Sequence, residues 1–175
     1  MLMRVALYGL LLTTAAAVEG AWLWRLPLPA PPDVLLLIVV AAGVRRGLET
    51  GALLGAAAGY VRDLTSGSPL GVFTFAYLVA GVAAGSVMSV VDFNQRLAPA
   101  LMAVAATTLM YLVGGVLVAT TGLASAPWVN FVPDLLGAVA VNALAARVVD
   151  AVYCRVEQWG RRPFPEKAIG YRILR

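Results

Sequence analysis

The sequence predicts an all-α integral membrane protein, a six-helix transmembrane bundle, and three observations lead there. The 175 residues are 61% hydrophobic and only 13% charged, where soluble domains run about 45–50% apolar and about 25% charged. Mean hydropathy is +0.87. The apolar runs, cut at their breaks, number six. Treating all six as spans places eleven of the 13 basic residues on one side of the membrane, as the positive-inside rule requires.

The first predicted span is residues 5–24, with Trp22 and Trp24 as interfacial anchors. Arg4 ahead of an apolar run, with Ala15-Ala16-Ala17 behind it, resembles a secretory leader. Its removal would leave five spans and put the basic tail on the wrong side, so the span is read as retained. A stiff segment from Pro27 to Pro32 follows, and Asp33 is a candidate N-cap for the second span, 34–46. The third span is 48–62, the fourth 70–91, the fifth 98–121 and the sixth 132–153.

Spans two and three are short. About 14 residues reach roughly 21 Å, against a hydrocarbon core of ~30 Å, so a re-entrant pair has to be weighed against two crossings. Charge favours crossings. With both termini cytoplasmic, Arg4, Arg45, Arg46, Arg96, Arg147 and the six basic residues of the tail lie inside, and only Arg25 and Arg62 lie outside. Short spans then need protein or a thinned, wet vestibule around them. The tail, 155–175, carries six basic residues against Glu157 and Glu166. Beside so apolar a chain this reads as an anchor to anionic lipid, not as nucleic-acid binding.

Glycine recurs every fourth position at Gly47, Gly51, Gly55 and Gly59, and Asp63 takes the next step. A four-residue step follows one ridge of a helix, so the strip is nearly bare and admits a neighbouring helix at backbone distance. Gly81, Gly85 and Asn142 are further helix-packing candidates. Gly67 and Gly71, in the turn that follows Asp63, are expected to permit its geometry.

The run from Gly55 through Gly59, Asp63, Leu64, Ser66, Gly67 and Leu70 to Gly71 resembles the signature of the rod-shape-determining MreD family. So do the proline-headed second span, Pro32-Asp33-Val34-Leu35-Leu36, and the late Asn142-Ala143-Leu144-Ala145-Ala146-Arg147. Ala146 departs from the family, in which many relatives carry Pro there. Arg62 departs too, and is expected to pair with Asp63 at the outer surface. The resemblance implies a non-enzymatic scaffold of the cell-wall elongation complex in the bacterial cytoplasmic membrane, helping control rod shape and peptidoglycan synthesis. It implies MreC as the direct partner, with MreB, RodA and its class B penicillin-binding transpeptidase in the wider complex, and no cofactor. Self-association is compatible with it. The implied docking residues are Arg62, Asp63, Ser66, Gly67, Leu70 and Gly71, in a groove between helices three, four and six. The family is also similar in fold to the specificity components of energy-coupling-factor transporters, which makes a small-molecule-binding transport subunit the alternative function.

The polar residues can be read on their own. Asp63 either pairs with Arg62 or Arg25, caps helix four, or lines a groove for a partner. Glu19 lies at a depth where a lone carboxylate costs a few kcal/mol; it snorkels outward, pairs with Arg25, or lines a polar cavity. Asp134 suits the first turn of the sixth helix, and Asn142 should hydrogen-bond another helix. Glu19, Asp63 and Asp134 together are the candidate outer polar pocket. With no histidine and the single cysteine Cys154, disulfides and Cys/His metal sites are excluded and nothing supports catalysis. Cys154 reads as a small packing residue, with lipidation the alternative.

Overall fold

The computed structural model describes residues 2–21, 30–66, 69–90, 98–121 and 131–161. Among them there are six helices and no strand: α1 (Leu2–Ala21), α2 (Val34–Arg46), α3 (Leu48–Ser66), α4 (Val72–Val90), α5 (Ala98–Thr121) and α6 (Phe131–Arg161). Helix α3 continues past residue 62 through Asp63 to Ser66, and α6 runs past 153 into the segment assigned to the tail. Trp22, Trp24, Arg25, Gly67, Arg96 and residues 162–175 lie outside the described residues.

Helix α2 is the centre of the bundle. Leu35 through Gly43 are buried without a break, as befits a helix apolar on every side. Around it the other five close a ring in the order α1, α3, α4, α5, α6 and back to α1, each touching its neighbours and α2. The 13 residues of α2 span only about 20 Å, and enclosure by protein is what makes so short a helix tolerable in lipid. Helices α3 and α6 do not touch among the described residues, because α2 stands between them. The expected groove between helices three, four and six is therefore absent.

Helix α1 is held along one stripe, Leu12, Ala15 and Glu19, at the three- and four-residue spacing of a helix face. Helix α6 buries Ala138, Asn142, Ala146 and Tyr153 and exposes Leu144, Val148 and Val152. Its stretch Phe131–Trp159 is by itself long and apolar enough to cross a bilayer, while Ala6–Ala21, Val72–Val87 and Ala98–Val113 are shorter apolar stretches.

The closest packing joins α2, α3 and α4. A Cβ added at Gly55 would overlap the Tyr77 carbonyl oxygen, and one at Gly59 the Phe73 carbonyl. At Gly51 it would lie 2.9 Å from the Gly43 Cα, and at Gly85 2.7 Å from the Gly47 carbonyl carbon. Gly81 meets Gly51 backbone to backbone. Gly47 differs from its assigned role: it is the one-residue break between α2 and α3, at φ +83, with open space where a side chain would be. Its contribution is the left-handed backbone of a tight reversal. Gly43, not singled out in the sequence, completes the contact.

Gly55→Ala should destabilise the folded protein by about 1–3 kcal/mol through overpacking. Gly9→Ala, in open space on α1, should be neutral or slightly stabilising. Thermal unfolding in detergent, followed by far-UV circular dichroism, compares the two.

Candidate functional site

Because α2 begins inside the protein, its first backbone N–H groups need partners there. Asp33 supplies one as N-cap, its Oδ1 accepting from the Leu36 N–H at 2.9 Å. Glu19 on α1 supplies another, Oε1 accepting from the Leu35 N–H at 2.9 Å. Asn142 on α6 supplies a third, Oδ1 accepting from the Asp33 N–H at 2.8 Å. Helix α2 thus receives an acceptor from two other helices.

These acceptors are themselves held. Tyr77 Oη on α4 donates to Asp33 Oδ2 at 2.5 Å. Asn142 Nδ2 donates to Thr107 Oγ1 on α5 at 3.0 Å. Arg62 on α3 reaches Glu19 Oε2 at 2.6 Å. One connected network therefore takes a group from each of the six helices, and Glu19, Asp33, Tyr77, Thr107 and Asn142 are all buried. Two carboxylates face one guanidinium, and the partial positive charge of the α2 N-terminus offsets the excess.

Arg62 belongs to this cluster and not to Asp63, so the expected Arg62–Asp63 pair is corrected. Its guanidinium lies 5.7 Å from the Phe73 ring centroid, a cation–π contact. Glu19 does not snorkel; it joins α1 to α2 and α3, and the pairing with Arg25 falls outside the described residues.

Asp63 caps the neighbouring helix. Its Oδ2 accepts from the Gly71 N–H at 2.8 Å and the Thr74 N–H at 3.1 Å, and its Oδ1 from the Phe73 N–H at 2.9 Å. Thr74 Oγ1 adds a fourth bond at 2.6 Å. Glycine is required at Gly71, whose φ is +104, in the left-handed region that side chains rarely adopt. Asp63 is only 2% exposed and fully engaged by its own chain. Its side chain is not open to a partner; it locks the α3–α4 turn. Around it Ser66 and Leu70 are exposed, as are Tyr60 and Leu64.

Asp134 is exposed on the first turn of α6, and no hydrogen bond or ion pair joins it to Glu19 or Asp63. Glu19 is engaged in the α2 cap network and Asp63 in the cap of α4, while Asp134 stands exposed. Sequence reasoning missed Tyr77 and Thr107. A signal existed for Tyr77: Phe73, Tyr77, Gly81 and Gly85 repeat the four-residue step that faces Gly51, Gly55 and Gly59. Among the described residues no group of histidine, cysteine and acidic side chains could hold a metal ion.

A second polar layer closes the other end of α2. Arg45 forms a two-pronged pair with Asp150 on α6, Nε to Oδ1 at 2.7 Å and Nη2 to Oδ2 at 2.6 Å, and Arg46 pairs with Glu157. Tyr8 and Tyr153 stack nearby, with ring centroids 6.2 Å apart.

Arg62→Ala leaves Glu19 buried without its counter-charge and should cost about 3–5 kcal/mol. The double variant Glu19→Gln/Arg62→Met should recover a large part of that loss, since no buried charge stays unpaired. A double-mutant cycle on unfolding in detergent measures the coupling.

No curated protein and no solved structure shows a significant match to the chain. The family model described as rod shape-determining protein MreD matches residues 3–149, from the start of α1 into α6. That range takes in the α2 cap network, the glycine contact and the Asp63-capped turn. The chain is a member of the rod shape-determining protein MreD family, bacterial membrane proteins with a role in determining rod shape.

Proposed function

We propose that this chain is a non-enzymatic, multi-pass scaffold of the cell-wall elongation complex in the bacterial cytoplasmic membrane. Residues 1–154 make a six-span domain and 155–175 a basic tail, with both termini cytoplasmic. It binds MreC directly and, through MreC, reaches MreB, RodA and its class B transpeptidase to help control peptidoglycan synthesis. The observation that carries this reading is the Asp63-capped turn. Four hydrogen bonds fix it, glycine contacts lock the two helices that flank it, and exposed side chains surround it.

The docking surface lies on Ser66, Gly67, Leu70 and Gly71, joined by Tyr60 and Leu64 on the outer ridge of α3. Arg62 and Asp63 shape that surface from within. A rigid platform costs little ordering on binding, and a single transmembrane helix with its juxtamembrane segment suits a ridge that passes into a turn. We further propose that the six helices follow the specificity-component architecture of energy-coupling-factor transporters. Small-molecule binding gains no support from the interior, where Tyr77 and Asn142 bond to Asp33, and Glu19 to Arg62 and the Leu35 N–H.

Crosslinking and co-purification of MreC from native membranes test the surface. Leu64→Glu and Leu70→Glu should each lower recovery of MreC, by about thirtyfold if either is a hot spot. Undiminished recovery with both would place the docking site elsewhere.

A further inference from the structure

Helix α6 carries two kinds of charge at its inner end. Asp150 and Glu157 face α2 and pair with Arg45 and Arg46. Arg147 and Arg155 are exposed on the other side and make no ion pair among the described residues. The bundle thus uses the acidic groups of this segment and leaves its cationic ones outward.

Arg147 is the costlier of the two. About 20 residues cross the hydrocarbon core, so a count from Phe131 or Leu135 leaves Arg147 one to two turns short of the inner edge. There a charged side chain is tolerated only with a partner or by extending to the headgroups. Its nearest acid along the helix, Asp150, is already bound by two bonds to Arg45. Among the described residues no acid serves as its counter-charge.

Arg155 lies two turns further on, about 12 Å along the axis. Trp159, 62% exposed, stands one turn beyond it, where an interfacial tryptophan belongs. Towards the membrane centre the same face continues as Leu144, Val148 and Val152, all exposed. From the helix end towards the membrane centre come Trp159, Arg155, Val152, Val148, Arg147 and Leu144, all exposed, so Arg147 must extend back along the aliphatic stretch to share a headgroup with Arg155.

We propose that Arg147 and Arg155 bind the phosphate of an anionic phospholipid of the inner leaflet, with an acyl chain along Leu144, Val148 and Val152 and Trp159 at the headgroup. This rests on the reading that α6 crosses the membrane with its end in the cytoplasm. It does not depend on MreC.

Native mass spectrometry of the full-length protein, titrated with phosphatidylglycerol or phosphatidylcholine, tests the site. Wild type should retain phosphatidylglycerol about thirtyfold better, the combined effect of two surface arginines. Arg147→Gln/Arg155→Gln should erase the preference, and the lysine pair at both positions should keep most of it. Equal retention of the two lipids by wild type overturns the proposal whether or not the glutamine variant folds. So does an undiminished preference in that variant, which would assign the lipid to the rest of the tail. Co-purification of MreC with the glutamine variant should stay at the wild-type level, so the two readings fail separately.

Discussion

The first turn of α2 is packed among the other helices, with Asp33, Leu35 and Leu36 buried. A helix that starts inside a bundle, in a membrane, must find every acceptor for its first turn within the protein. In this chain Asp33, Glu19 and Asn142 provide them. Because these three come from α2, α1 and α6, and are held by α3, α4 and α5, satisfying one helix end fixes the relative position of all six. The ring around α2 is the apolar expression of the same constraint. Apolar burial contributes little between helices in lipid, so the network carries an unusual share of the bundle's specificity, and loss of one member leaves a buried group unsatisfied.

Two further devices set the register. At the C-terminal end of α2, Arg45 and Arg46 tie it to α6, so the short helix is held at both ends. Between α3 and α4, glycine removes the side chains that would separate the backbones, and Asp63 closes the turn that joins the two helices. The devices depend on each other. The cap needs Asp63 within reach of the α4 N-terminus, and that closeness exists because Gly59 admits the Phe73–Thr74 backbone.

Much of this was legible in the sequence because it is local or periodic. The apolar runs gave the helices, the four-residue step gave the strip on α3, and Pro32-Asp33 ahead of an apolar run marked the cap of α2. The partners were not legible, since pairing across helices depends on which helix stands at the centre. Arg62 is adjacent to Asp63 in sequence but points its charge at Glu19, 43 residues away. Gly47 fits the periodic strip and yet breaks it, because φ +83 is invisible to spacing. Tyr77 and Thr107 look like ordinary span residues until Asp33 and Asn142 meet them. The family resemblance covered the right stretch of chain, while the geometry selected, among the roles open to Asp63, the cap of α4.

The reading of function follows from rigidity. A scaffold must present a fixed surface at the membrane, and the starts of α2 and α4 are fixed by hydrogen bonds where lipid offers none. Hydrogen exchange of residues 33–38 in lipid nanodiscs, read by mass spectrometry, tests this most directly. The account predicts amides protected for hours in wild type and markedly faster exchange in Asn142→Ala, with the far end of α2 unchanged. Rapid exchange at residues 33–38 in wild type would contradict it.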